Sequence, residues 1–376
     1  VSDNYHKVDA GAGNDTITVG GHRNTANTGA GDDTLNVSGS HHMVNAGVGN
    51  DTITVGGRDN TANADGGNDT INMSGHNNTA NAGDGNDTVN VSGEYNTANA
   101  GDGSDVVKVN GDGNVVDGGA GNDSMNVTGD STAYGGAGND LMNVFAGGGT
   151  IDGGAGNDTL WANADGTTAK GGAGNDTLKT YNASDITLDG GDGDDTIVVL
   201  DMGVSTNTMI DGGSGDDFVH LESDTDGDVV DGGADNDVIF ARGDDGSYAG
   251  GSGDDVIVAV GAHANLEGGD GDDLLVAGGL GAQIFADKDA RIEESLRGTL
   301  EEAQGDMSTN SFGDFTYGAS QDGEGSVLDG GAGDDTLLGS FGHDVMIGGD
   351  GNDTFVTHLG EGNDVIVGGA GTDVLD

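Results

Sequence analysis

The chain has 376 residues, with 67 Asp and Glu against 10 Lys and Arg, a formal net charge of -57, and 79 glycines. Nucleic acid would meet a strongly repulsive surface, so the natural counter-charge is a cation. Cysteine is absent, which excludes disulfides and thiolate metal sites; no run approaches the ~18 apolar residues of a membrane span, and Val1 does not open a signal peptide.

So acidic a chain, with 4% aromatic residues, would ordinarily stay disordered. Regular repetition argues otherwise, because a fixed period marks a stacked solenoid. Proline is also absent, which suits uninterrupted backbone pairing.

The repeat begins with "GAGNDTITV" at 11–19 and returns as "GAGDDTLNV" at 29–37 and "GVGNDTITV" at 47–55. Its aspartate stands at Asp15, Asp33, Asp51, Asp69, Asp87, Asp105 and Asp123, each 18 residues after the last. It continues at Asp140, Asp158, Asp176, Asp195, Asp217, Asp237, Asp255 and Asp273. After a break it resumes at Asp335, Asp344, Asp353, Asp364 and Asp373, mostly 9 apart. Two residues beyond each marker stands an apolar residue, from Ile17 and Leu35 to Phe355, Ile366 and Leu375. Period two in a short run means a strand with one buried face. Each unit is therefore a glycine turn followed by a short strand.

Eighteen residues make one coil of two turns and two strands. The second half-coil points Ala26, Val44, Ala62, Ala80, Ala98, Val116, Ile151, Leu188, Ile210, Val230 and Leu266 inward, so the interior is thin. Successive coils would pair in parallel at about 4.8 Å, giving a rod. Asn24, Asn60, Asn78, Asn96 and Asn114 recur at whole-coil spacing and read as a stacked amide ladder that satisfies the backbone of the other turns.

Glycine lets a turn aim its carbonyls at one spot, with some residues at positive φ. Aspartate adds a hard anionic oxygen. An oxygen-only donor set suits calcium rather than zinc or magnesium. One turn offers too few oxygens, whereas two turns stacked one coil apart offer enough.

The pattern G-G-x-G-x-D-x-(apolar)-x, as in "GGAGNDTLW" at 153–161 and "GGAGNDTLK" at 171–179, resembles the RTX (repeats-in-toxin) proteins over nearly the whole chain. The resemblance implies a parallel β-roll with calcium between same-side turns, type I secretion, and folding outside the cell. It also implies that the marker aspartates hold the metal, assisted by backbone carbonyls of Gly11, Gly13, Gly29, Gly31, Gly47, Gly49, Gly154, Gly156, Gly172, Gly174, Gly331 and Gly333. Familiar rolls carry the motif every nine residues. Residues 1–280 carry it on alternate half-coils, which predicts one file of calcium, and 329–376 return to nine-residue spacing, which predicts two. In "GADND" at 233–237, Asp235 replaces a turn glycine.

Residues 281–328 differ in kind. Ile292, Leu296, Leu300, Ala303 and Met307 keep helical spacing, and Lys288, Arg291 and Arg297 lie among them. This insertion is expected to cap an exposed end of the first stack or to dock on a neighbouring molecule. The expected organisation is a long solenoid at 1–280, the insertion at 281–328 and a β-roll at 329–376.

No HExxH or GxSxG motif and no catalytic constellation occurs, so the chain reads as non-enzymatic. His41 and His42 read as surface residues, and Trp161 as a contact between coils rather than a sugar platform. Thr16/Thr18, Thr34/Asn36, Thr52/Thr54, Thr70/Asn72 and Thr88/Asn90 form outward ranks like those of ice-binding solenoids, and the ranks fail at Val106/Lys108. "HKVDAG" at 6–11 closes a coil and "GTDVLD" stops inside one, as expected for a segment of something longer.

The composite expectation is a calcium-dependent structural module of a secreted bacterial surface layer, filament or adhesin, associating with itself or with other surface components. The alternatives are the non-catalytic RTX module of an exported enzyme or toxin, and an ice-binding solenoid.

Overall fold

The structure, a computed structural model, describes residues 3–200, 207–222, 227–243, 245–260, 263–277, 326–339, 343–357 and 363–375. It is an all-β parallel solenoid, with no helix among the described residues. The helical pattern at 288–307 lies outside them. The chain divides into two compact units, Val1–Lys179 and Thr180–Asp376.

In the first unit each coil contributes two strands. One precedes the aspartate turn, as in Lys7–Ala12 and Thr25–Ala30, and these strands form sheet A; the other follows it, as in Thr16–Val19 and Thr34–Val37, and these form sheet B. Neighbouring strands pair in parallel and in register, Ala26 opposite Val44 and Ile53 opposite Ile71. The 17-residue step from Asp123 to Asp140 is absorbed by a shift of register after Val127.

Alternation decides what the thin core contains. Ile53, Ile71, Val89 and Leu160 from sheet B, and Val44, Ala62, Ala80 and Ile151 from sheet A, are fully buried. Small residues from one sheet face larger ones from the other, because a single coil is only two strands thick. Trp161 points outward and lies under the Lys179 ammonium of the next coil, 5.5 Å from the ring centre, as an inter-coil contact.

The second unit repeats this plan, with Met209–Ser214 and Val229–Ala234 in its sheet A and Phe218–Glu222 and Val238–Arg242 in its sheet B. Here the coils flanking 278–325 pair directly. Asn265 and Leu266 stand opposite Val327 and Leu328, and Leu274 and Leu275 opposite Thr336 and Leu337. Stacking therefore continues across the insertion, and no bare end exists at Ala277 for it to cap. The capping expectation is corrected on that ground: the coil that ends at Ala277 is already covered by the coil that begins at Ser326.

Candidate metal centre

The aspartate turn requires two left-handed residues in each coil. Gly154 has φ 104° and Gly156 φ 128°, values that L side chains rarely adopt. At Gly174 space is short as well, since a Cβ there would stand 2.7 Å from the carbonyl carbon of Gly156 one coil below. Asp235 takes the same role at φ 78°, and the aspartate ladder continues past it: Asp217 N–H donates to Asp237 Oδ1 and Asp237 N–H to Asp255 Oδ1, each at 2.8 Å. Asp235 replaces the glycine without breaking the file.

The marker aspartates stack one above another. In the first unit Asp15 to Asp176 form one file; in the second, Asp195 to Asp273 continue with Asp335, Asp353 and Asp373. Each Oδ1 accepts the backbone N–H of the marker one coil earlier, as in Asp69 N–H to Asp87 Oδ1 at 2.7 Å and Asp140 N–H to Asp158 Oδ1 at 2.7 Å. The other oxygen is stranded. Oδ2 of Asp33, Asp51, Asp69, Asp87, Asp105, Asp123, Asp140 and Asp158 is buried without a hydrogen-bond partner, as it is in Asp217, Asp237, Asp255, Asp273, Asp335 and Asp353.

Asp344 and Asp364 stand apart from this file. They lie on the opposite edge, where Ser326 N–H donates to Asp344 Oδ1 at 2.8 Å and Asp344 N–H to Asp364 Oδ1 at 3.1 Å. The nine-residue spacing thus distributes markers over both edges.

From Asp123 onward, sequence reasoning overlooked the carbonyl that lies beside the stranded oxygen in the glycine-bearing coils. A Cβ added to Gly135 would collide with Asp140 Oδ2 and would sit 2.5 Å from the carbonyl oxygen of Gly153. The same cradle recurs at Gly153 under Gly171, at Gly250 under Gly268 and at Gly330 under Gly348. These glycines, five residues before the marker, are not among those with positive φ, so space rather than conformation makes them glycine. The signal was present in the first G of "GGAGND". In the first six coils this position instead holds Ala10, Thr28, Ala46, Ala64, Ala82 and Ala100.

Stranding a carboxylate shifts its proton affinity. Burial first, then repulsion from stacked neighbours, raises Asp69, Asp123, Asp158, Asp217 and Asp273 from 3.8 to about 7, and Asp237 to about 8. Asp105, Asp255 and Asp335 rise to about 6. The backbone N–H bond to Oδ1 opposes these shifts without cancelling them.

In the first unit the other edge solves the same backbone problem without charge. Asn60, Asn78 and Asn96 each donate N–H to the Oδ1 of the next asparagine at 2.9–3.0 Å, which is the ladder the spacing predicts. Their amide Nδ2 atoms donate to carbonyls such as Gly56, Ser74 and Gly75 at 3.1 Å. His42 occupies a rung of this ladder: Nδ1 accepts from Asn24 N–H at 3.1 Å and Nε2 lies 3.1 Å from the Ser38 carbonyl. It is 2% exposed and burial lowers its pKa, so the surface assignment holds for His41 and fails for His42.

Among the described residues no three His, Cys, Asp or Glu side chains converge on one point. The site is one carboxylate per coil with carbonyl oxygens, a hard donor set that fits calcium, and the stranded Oδ2 in its glycine cradle is where a cation would restore the missing partner.

Fold and site together define a parallel β-solenoid with a file of stacked, buried carboxylates. The profile of the RTX calcium-binding nonapeptide repeat matches residues 7–36, 45–73, 74–93, 92–125, 128–144, 145–178, 163–197, 209–227, 222–257, 263–279, 323–355 and 358–376. The chain belongs to that family and is a calcium-binding protein. No curated protein matches it. A solved structure, described as a hyperactive, Ca2+-dependent, beta-helical antifreeze protein from an Antarctic bacterium, is 23% identical; the match covers 78% of this chain and 90% of that one, with a TM-score of 0.42.

Proposed function

We propose that this chain is a structural segment of a secreted bacterial surface layer, filament or adhesin, which folds outside the cell as calcium fills its aspartate file. The observation that carries the reading is the row of buried carboxylate oxygens without partners, repeated coil after coil. A solitary regulatory site would need one such oxygen. A file makes the whole backbone depend on calcium, so the cation acts as a structural element.

In the calcium-bound protein the marker carboxylates and the carbonyls of Gly135, Gly153, Gly171 and their equivalents would hold the ion, which supplies positive charge between acidic neighbours. The chain itself fixes Oδ1 on the adjacent backbone, so that Oδ2 alone remains for the metal. Calcium near 1 mM acting on sites with a dissociation constant of about 10–100 µM would add roughly 1.4–2.7 kcal/mol per site.

Electron microscopy of the native assembly, with and without chelator, tests this. An ordered array or fibre should disperse on chelation and re-form with calcium. An assembly indifferent to chelator would overturn the reading. A protease or lipase motif upstream of Val1 would favour the module of an exported enzyme or toxin.

One observation supports a second reading, ice binding. Thr16, Thr34, Thr52, Thr70 and Thr88 stand in direct register on the outer face of sheet B. Thermal hysteresis with calcium present tests it; freezing-point behaviour equal to that of buffer would remove it.

A further inference from the structure

In the first unit, the edge that carries the asparagine ladder also carries an outward turn that recurs every 18 residues. Tyr5, Arg23, His41, Asp59, Asn77 and Tyr95 occupy its tip, with φ between 54° and 63°. The next member of the column is Gly113 at φ 69°, the residue that this conformation favours. Asparagine and aspartate tolerate it, but arginine and tyrosine rarely adopt it. The backbone is held there from coil to coil. Asp59 N–H donates to the His76 carbonyl at 3.2 Å, Asn77 N–H to that of Glu94 at 3.3 Å and Tyr95 N–H to that of Asp112 at 3.1 Å. Large side chains thus project from turns that glycine would make with less strain, and such outliers cluster at binding sites.

Three successive coils bound an open cleft of about 290 Å³ on this edge, lined by Arg58, Asp59, His76, Asn77 and Tyr95. All five are exposed, Tyr95 at 63%. One side of the Tyr95 ring lies against Gly113, where a Cβ would stand 2.6 Å from two ring carbons, so the missing side chain lets the ring seat on the backbone. The column's other tyrosine is already engaged. The Arg23 guanidinium of the next coil lies 5.9 Å from the Tyr5 ring centre and donates to its hydroxyl at 3.0 Å. Tyr95 has Gly113 in place of that arginine, and its ring is left as a wall of the cleft.

We propose that this cleft binds one pyranose ring of a neutral saccharide. Its volume is at the lower limit of small-ligand sites, room for a single ring. A pyranose presents an apolar C–H face and a rim of hydroxyls. Tyr95 offers the first a rigid aromatic surface at little loss of rotamer entropy. Arg58 brings only donors, Asp59 only acceptors and Asn77 both, which suits neighbouring hydroxyls that each donate and accept. His76 Nδ1 stands 3.6 Å from Glu94 Oε2, and His41 Nε2 stands 3.7 Å from Asp59 Oδ2, so flanking side chains steady both groups. Charge selects a neutral ligand. Asp59 lines the cleft, Glu94 borders it and the chain carries -57, so a uronic acid polymer would approach against repulsion. The site lies on the edge opposite the calcium file of the first unit, and does not depend on which assembly the chain builds.

Ligand-detected saturation-transfer NMR on the calcium-loaded chain reads the site. The probes are gluco-, galacto-, manno- and N-acetylglucosamine oligosaccharides, each alone, and an oligogalacturonate. At least one neutral oligosaccharide should bind, and the oligogalacturonate should bind about tenfold more weakly or not at all. Tyr95→Asn removes the ring and keeps a residue suited to the left-handed backbone; it should weaken binding about tenfold or more. Tyr95→Phe should stay within about threefold, because the ring face makes the contact. Arg58→Ala should cost about fivefold, whereas Tyr181→Asn, at a similarly exposed tyrosine, should change nothing. An unaltered calcium-bound circular dichroism signal in each variant separates loss of ligand from loss of fold. Binding of none of the neutral sugars, preference for the oligogalacturonate, or affinity indifferent to both Tyr95→Asn and Arg58→Ala would each overturn the proposal.

Discussion

Removing calcium at two pH values should separate the charge of the aspartate file from every other source of stability. In unfolded chain an aspartate ionises near 3.8, whereas nine file carboxyls in the folded chain hold their proton to between about 6 and about 8. The metal-free fold thus binds protons that the unfolded chain has already released. Its stability is full below about pH 4, falls steadily as pH rises above that, and levels off once pH has passed the folded values of about 6–8. At about 1.4 kcal/mol per pH unit, each such carboxylate costs the metal-free fold roughly 3–6 kcal/mol when ionised. Three of them, at roughly 9–18 kcal/mol, already match the ~5–15 kcal/mol net stability of a whole domain.

Protein in chelator at pH 8 should therefore lose its β signal by circular dichroism. At pH 4 in the same chelator the signal should return without metal, and at pH 8 millimolar calcium should restore it. Salt distinguishes this from the general repulsion of a net charge of -57, since about 0.5 M NaCl screens exposed charges but reaches the buried file poorly. If chelated protein is equally folded at both pH values, or if salt alone refolds it at pH 8, the stranded carboxylates are not what makes the fold depend on calcium.

Further expectations are local. Asp87→Ala should loosen the coils around 69–105 in hydrogen exchange while 329–376 stay protected, because solenoid stability is mostly nearest-neighbour. Gly153→Ala places a methyl in the cradle between Asp158 Oδ2 and the Gly171 carbonyl, and calorimetric titration should lose one or two calcium equivalents from the total. Asn78→Ala strips the hydrogen bonds from Asn60 N–H and to the Ser74 carbonyl. It should cost about 1–3 kcal/mol in denaturant titration at saturating calcium, whereas a surface ladder residue such as Asn81 should cost far less.

The solenoid was legible because its signals repeat. A strand of four residues is a weak inference alone, but Ile17, Leu35, Ile53 and Ile71 at one spacing leave a single register. The aspartate file was legible for the same reason, as was the asparagine ladder. Features defined by contact between coils were hidden. The glycine five residues before markers such as Asp140, Asp158 and Asp255 looks like one more turn glycine, and only the neighbouring carbonyl shows why it has no Cβ. His42 breaks the asparagine pattern in letters while keeping it in hydrogen bonds, because a neutral imidazole also offers one acceptor and one donor. The cleft beside Tyr95 was hidden for the same reason, since its residues come from three coils.

Why one edge uses aspartate and the other asparagine follows from a single atom. Both residues offer Oδ1 to a backbone N–H of the neighbouring coil, at 2.7 Å for Asp87 and 2.9 Å for Asn96. They differ only in what remains. Asparagine keeps a donor, which the turn carbonyls at Ser74 or Gly75 accept, so that edge is complete on its own. Aspartate keeps an acceptor with a negative charge, beside another carbonyl oxygen in the glycine-bearing coils, and no hydrogen bond from the described residues completes it at markers such as Asp123, Asp140 and Asp158. A coil of this design is half finished by its sequence and half finished by its solvent. Such a chain can stay unfolded where calcium is scarce and fold where it is plentiful. Asp344 and Asp364 extend the argument: by putting aspartate on the second edge, the last coils carry carboxylate charge on both sides. Those coils should be the last to fold and the first to open as calcium falls, and hydrogen exchange at stepwise calcium concentrations would show it. If 343–375 instead stay protected after 69–105 have opened, the edge chemistry does not set the order of folding.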